Sequence, residues 1–80
     1  MLPELLNVTP IEGYQLLLEY DNGERRLLDT SFWLEKPMYN CLRSKELFDT
    51  VKVQGMTIIW DNGLDIAPED LYEFSTPIQT

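Results

Sequence analysis

Two stretches decide how this chain folds: Tyr14-Gln15-Leu16-Leu17-Leu18-Glu19-Tyr20-Asp21-Asn22-Gly23 and Met56-Thr57-Ile58-Ile59-Trp60-Asp61-Asn62-Gly63. Each is a largely apolar run that ends in an aromatic residue and then Asp-Asn-Gly. Asn-Gly between apolar runs marks a β-hairpin, because the turn demands positive φ and Gly and Asn tolerate it. On its face Asn-Gly specifies a two-residue loop. Within the first run, Tyr14, Leu16, Leu18 and Tyr20 share one face of a strand, and Gln15, Leu17 and Glu19 share the other. The first face is apolar and is expected to cover the core. Leu17 makes the second only partly polar, so a small cover is expected there too.

Working outward, Leu5–Thr9 reads as a first strand stopped by Pro10, Tyr14–Tyr20 as the second and Glu24–Leu28 as the third. Thr30 or Ser31 can cap a short helical turn through Phe32, Trp33 and Leu34, which Pro37 terminates. Residues 37–42 read as loop. Ser44 is a good N-cap for a helix over Lys45–Asp49. Val51–Gln54 alternates like a strand, with Gly55 as a break. The second hairpin then pairs Thr57–Trp60 with Leu64–Ile66. Pro68 suits the first helical position, with Glu69 and Asp70 favourable beside it, so Pro68–Phe74 is a helical turn. The order is β-β-β-α-β-β-β-α: an α+β fold with a small, mostly antiparallel sheet built from two hairpin units. Residues 1–74 form one domain, and 75–80 are expected to be a loose tail.

The 80 residues contain 44% hydrophobic and 25% charged residues, ordinary values for a folded domain. So short a chain buries only about 60% of its unfolded surface, and one core supplies about 3–5 kcal/mol. No stretch approaches the roughly 18 apolar residues of a membrane span, and no signal-peptide pattern opens the chain. The expectation is a soluble cytoplasmic protein. Cys41 is the single cysteine, expected to be a small half-buried residue, and its solitude fits a reducing compartment.

The formal net charge is −8. Residues 1–52 hold nine acids and all six bases, while residues 53–80 hold five acids (Asp61, Asp65, Glu69, Asp70, Glu73) and no base. Nucleic-acid binding needs basic surface, so direct nucleic-acid binding is not expected, and anionic membrane is disfavoured for the same reason. A basic protein partner suits the acidic end. Solubility alone is the commoner reason for such acids.

Catalytic chemistry has few footholds. With no His, Ser-His and Cys-His nucleophiles and zinc sites are excluded. The four glycines are scattered and form no phosphate loop. Asp29, Asp61 and Asp65 are candidate acids for an enzyme, or ligands for a small molecule or a hard cation. Asp in turns and caps is far commoner, and the EF-hand spacing is absent. Trp33 and Trp60 are more often core than recognition residues in so small a domain. No cofactor, metal or catalytic residue is therefore assigned. Candidate partner contacts are Asp61, Asp65, Glu69, Asp70, Glu73 and Trp60. Self-association through an open sheet edge, giving a weak homo-oligomer rather than a monomer, is a further option.

Three stretches, in order, resemble domain-of-unknown-function family 2442: Tyr14 to Glu24 followed by Asp29; Leu42-Arg43-Ser44-Lys45-Glu46-Leu47-Phe48-Asp49-Thr50-Val51; and Thr57 to Tyr72. The third is the most specific, with its aromatic, Asn-Gly turn, Asp65, Pro68 and Leu71-Tyr72. The resemblance implies a small bacterial α+β protein with no established activity. It also implies a gene placed beside that of another small protein, an arrangement that suggests a toxin–antitoxin-like pair. Longer relatives append a helix-turn-helix domain; none is expected here, so direct transcriptional control is not expected. Relatives commonly carry Pro where this chain has Asp61. Pro fits the first position of a type I turn followed by a Gly bulge. The second turn is therefore expected to be a three-residue loop, with Trp60 opposite Leu64 and positive φ at Gly63 but not at Asn62.

Overall fold

The computed structural model describes residues 2–78. Four antiparallel strands form the main sheet: β1 (Leu5–Ile11), β2 (Gln15–Tyr20), β3 (Arg25–Asp29) and β6 (Thr76–Pro77), in the order β1-β2-β3-β6. A second sheet pairs β4 (Lys52–Gln54) with β5 (Thr57–Ile59). Two 3-10 turns (Trp33–Glu35 and Asn40–Arg43) and α1 (Lys45–Phe48) connect the sheets, and α2 (Pro68–Phe74) precedes β6. The fold is α+β, as the alternation of apolar runs and turn signals implies.

The period-two reading of β2 holds where it matters. Leu16, Leu18 and Tyr20 are buried and meet Leu28 of β3, Phe48 of α1, Trp60 and Leu71 of α2 in one core. Leu17, on the opposite face, lies in register between Thr9 and Leu27 and is only half-buried. The partial cover it needs comes from its neighbours within the sheet.

Both Asp-Asn-Gly turns are three-residue loops. Tyr20 and Glu24 face each other across the first, with Tyr20 N–H donating to Glu24 O (2.9 Å) and Gly23 N–H to Tyr20 O (3.1 Å). Trp60 and Leu64 repeat the pattern at 2.9 Å for both bonds. Gly23 and Gly63 each have φ of 88°, while neither Asn has positive φ. Each Asn instead accepts from the amide two residues on, Glu24 at 3.0 Å and Leu64 at 3.1 Å. The expectation for the second turn is met, and the first follows it rather than the two-residue loop. The two-residue hairpin lies elsewhere, at Gly55-Met56 between β4 and β5, with Gly55 at φ 62° in the first central position.

Several boundaries differ from the sequence reading, each for a physical reason. Pro10 does not stop β1, because β1 is an edge strand where a missing N–H is tolerated. Tyr14 does not start β2. It sits in the turn at φ 58°, an unusual conformation for a bulky residue, held by its hydroxyl donating to Arg43 O and by its ring edge on Phe48. Thr30 does not cap the turn after it; its hydroxyl donates to Tyr14 O at 2.7 Å. Residues 37–42 are not all loop, since the second 3-10 turn, Asn40–Arg43, begins within them. Ser44 does cap α1, accepting from Leu47 N–H at 3.5 Å. Leu64–Ile66 forms no strand, and its pairing reduces to one bridge, Ile59 with Asp65. Cys41 is exposed rather than half-buried. Thr76 and Pro77, placed in the loose tail, pair with Leu27 and Arg26 of β3. Gln79 and Thr80 of that tail lie outside the described residues.

Candidate functional site

The acidic end of the chain is built on the second turn and α2. The turn holds Asp61 in the open, its amide donating to Thr50 Oγ1 at 3.1 Å. Asp65 follows the turn and is also exposed, and its backbone carbonyl accepts from the Tyr39 hydroxyl at 3.1 Å. Pro68 begins α2, where Glu69 and Asp70 favour the positive end of the helix. Glu69, Asp70 and Glu73 all point to solvent, while Leu71 is fully buried. Among the described residues the ion pairs are Arg26–Glu24 (2.8 Å) and Lys45–Asp49 (3.2 Å), so the five acids after residue 52 are in none.

Trp60 is removed from the set of contact residues. It is 1% exposed, its ring leans on Phe48 at 6.3 Å, and its indole N–H donates to Phe48 O at 3.1 Å. An indole so placed is a core anchor with its polar atom satisfied. The three carboxylates considered for chemistry, those of Asp29, Asp61 and Asp65, are each exposed. Asp29 accepts from Ser31 N–H at 2.9 Å, closing the turn after β3. Among the described residues no three His, Cys, Asp or Glu side chains gather as a metal site would require.

Sequence reasoning missed a clamp that joins α2 to the sheet. Arg26, 9% exposed, donates through Nε to Ser75 Oγ (2.6 Å), through Nη1 to Glu24 Oε2 (2.8 Å), and through Nη2 to Tyr72 O (3.0 Å) and Ser75 O (2.9 Å). Its guanidinium lies 4.0 Å above the Tyr72 ring. The Tyr72 hydroxyl donates to Glu24 Oε1 at 2.6 Å, and the Asn22 amide donates to the same oxygen at 2.7 Å. The Tyr72 bond, with those from Asn22 and Arg26, lowers the Glu24 pKa to about 2, and the same bond raises that of Tyr72. Tyr20 packs edge-on to Tyr72 at 5.2 Å, and burial pushes its hydroxyl up to about 12. That hydroxyl has no hydrogen-bond partner among the described residues. The signal was faint but present. Arg26 shares a strand face with Leu28, so period two places a cation on the core side.

A second missed feature is an aromatic ledge. Phe32 and Phe74 are 45% and 54% exposed and lie 5.7 Å apart. Both rest on the buried Trp33, at 5.0 and 5.8 Å, and Trp33 stacks on Tyr39 at 6.1 Å. Phe32 and Trp33 are neighbours in sequence, so both rings cannot face inward from a tight turn. That was the available clue.

A small α+β domain with its second helix clamped to the sheet and an acidic flank describes a class rather than an activity. Within that class the chain belongs to the family described as "Protein of unknown function (DUF2442)", whose pattern matches residues 5–77. No curated protein and no solved structure matches it. No helix among the described residues is long and apolar enough to cross a membrane.

Proposed function

We propose that this chain is a non-enzymatic protein-interaction module of the cytoplasm. Its partner is a basic protein, the other member of a paired, toxin–antitoxin-like two-gene system. The supporting observation is the segregation of charge. Asp61, Asp65, Glu69, Asp70 and Glu73 are all exposed on the second turn and α2, and none is neutralised by an ion pair among the described residues. Within residues 1–52, by contrast, three of the six bases are drawn into structure: Arg26 into the clamp, Lys45 onto Asp49, and Arg43 onto Leu34 O at 3.3 Å. Unpaired like charges repel one another, and a basic surface relieves that repulsion while steering its own approach.

The test is co-purification from the native host. A stoichiometric basic protein should be retained at low salt and released at high salt, because exposed charge contacts are screened. The charge-neutral variant Asp65→Asn/Asp70→Asn/Glu73→Gln should fail to retain it. A host lysate that yields no stoichiometric partner, or a partner held equally by that variant, would count against the proposal.

A further inference from the structure

We propose that the aromatic ledge of Phe32, Trp33, Phe74 and Tyr39 is an apolar anchor site, and that its occupant is a basic amphipathic segment of the partner protein. Such a segment places an apolar side chain against Phe32 and Phe74 and sets Lys or Arg against Asp65, Asp70 and Glu73. The inference rests on the reading that the acidic flank meets a basic protein, and it adds what that flank lacks, a desolvated centre.

The geometry ties the two features together. Asp70 and Phe74 are four apart on α2, so they share one helix face. Glu73 is the residue next to Phe74. On the other side of Trp33, Tyr39 donates to the backbone of Asp65, and burial together with the Asp65 and Asp70 carboxylates raises its pKa. The Asp65 and Asp70 carboxylates therefore border the ledge, beside Tyr39 and one helical turn from Phe74. Between Phe32 and Tyr39 the single acid, Glu35, and the single base, Lys36, cancel. Met38, next to Tyr39, adds 68% exposed apolar surface.

An exposed aromatic cluster inside a polar rim is the anatomy of an interface core, since aromatic anchors carry most binding energy and rim charges set partner choice. The sign of the rim selects the occupant. A second copy would bring the same acids against Asp65, Asp70 and Glu73, and nucleic acid or anionic lipid would do the same. The sheet edge at β1 is a poorer docking place. It carries Pro10, a bulge between Leu5 and Asn7, and an Asn7 Oδ1 that already accepts the Val8 N–H at 3.0 Å.

The probe is a pair of short synthetic helical peptides with the same lysine face. One carries tryptophan and leucine on the opposite face, the other alanine. Both are titrated against the full chain by anisotropy. The apolar peptide should bind about tenfold tighter than the alanine peptide, the size of one anchoring contact. Phe74→Ser and Phe32→Ser should each abolish most of that difference while leaving the weak, salt-sensitive binding of the alanine peptide in place. Both side chains are exposed, so unchanged thermal unfolding serves as the folding control. Equal binding of the two peptides, unaffected by Phe74→Ser, would overturn the anchor site and leave the basic-partner reading standing. Binding of neither would overturn both. A dimer in sedimentation that Phe74→Ser dissolves would make the occupant a second copy and overturn the proposal.

Discussion

Arg26→Met is the sharpest perturbation of this fold. Methionine keeps the length and packing of the arginine stem but removes all four donated hydrogen bonds. The two bonds to Ser75 are buried, and Ser75 is itself 5% exposed. Tyr72 O still accepts from Ser75 Oγ at 2.7 Å, whereas among the described residues the donor to Ser75 O is Arg26 Nη2. A buried acceptor left unpaired costs about 1–3 kcal/mol, and each bond from a charged donor contributes about 1.5–3 kcal/mol. Against this, methionine avoids the desolvation of a buried guanidinium, which offsets part of the loss. The net expectation is a destabilisation of about 2–4 kcal/mol, comparable with the about 3–5 kcal/mol that a core of this size supplies. Urea unfolding measures the total. Hydrogen exchange locates it: the amides of Leu71, Ser75 and Ile78, which donate to Ala67, Tyr72 and Arg25, should lose protection first. Stability within about 0.5 kcal/mol of the native chain, the range of an ordinary surface substitution, would refute the clamp as the tie between α2 and the sheet. So would a loss spread evenly over all amides.

Three further outcomes are expected. Because the folded Glu24 pKa of about 2 lies below its ordinary value of 4.5, its stabilisation is full above that ordinary value and is lost as pH falls toward 2. The unfolding temperature of Glu24→Gln should therefore fall less steeply than that of the native chain across this window, and parallel curves would refute the assignment. Tyr20→Phe removes a buried hydroxyl without a partner among the described residues and should stabilise the fold by about 1 kcal/mol in urea unfolding, whereas a loss would mean that the hydroxyl is bonded. Gly23→Ala and Gly63→Ala meet no atom within 4 Å at the new Cβ, so each should cost only the left-handed backbone penalty of about 1–2 kcal/mol, and markedly unequal costs would contradict the shared turn geometry.

Local signals were legible in the sequence, and long-range polar ones were not. The β2 face, the Ser44 cap and the Pro68 start of α2 each depend on residues within a few positions of one another. The clamp joins Glu24 and Arg26 to Tyr72 and Ser75, which are 46 to 49 residues further on. Glu24, Tyr72 and Ser75 each read locally as ordinary surface residues, and Arg26 alone, in phase with Leu28, hinted at the core side. Asn-Gly pointed to a hairpin without fixing its loop length, because the αL requirement can be met by Gly alone. Trp60 shows the opposite limit. An aromatic beside an acidic turn suits a contact surface by sequence, but its strand phase and its bond to Phe48 put it in the core. Phe74 was hidden by its helix: one helical turn can bury Leu71 and still leave a neighbouring aromatic facing out.

The seven residues of α2 link the clamp to the proposed anchor site. Leu71, fully buried, and Ser75, at the helix end, face inward four residues apart, and Tyr72 beside them meets Arg26 and Tyr20. One position round the helix, Asp70 and Phe74 are carried outward to the ledge. A rotation by one residue, about 100°, would bury an acid and expose Leu71, so the clamp fixes the phase in which Phe74 reaches Trp33. Arg26 makes no contact with Phe32, Trp33 or Phe74 among the bonds and ring contacts of the structure, yet Arg26→Met should weaken the apolar peptide's preference by releasing that phase. Phe74→Ser should remove the preference while leaving stability unchanged. The two variants thus separate an anchor that touches its partner from a clamp that only aims it. If Arg26→Met lost stability but kept the full preference, the ledge would have to be held by Trp33 and its turn alone.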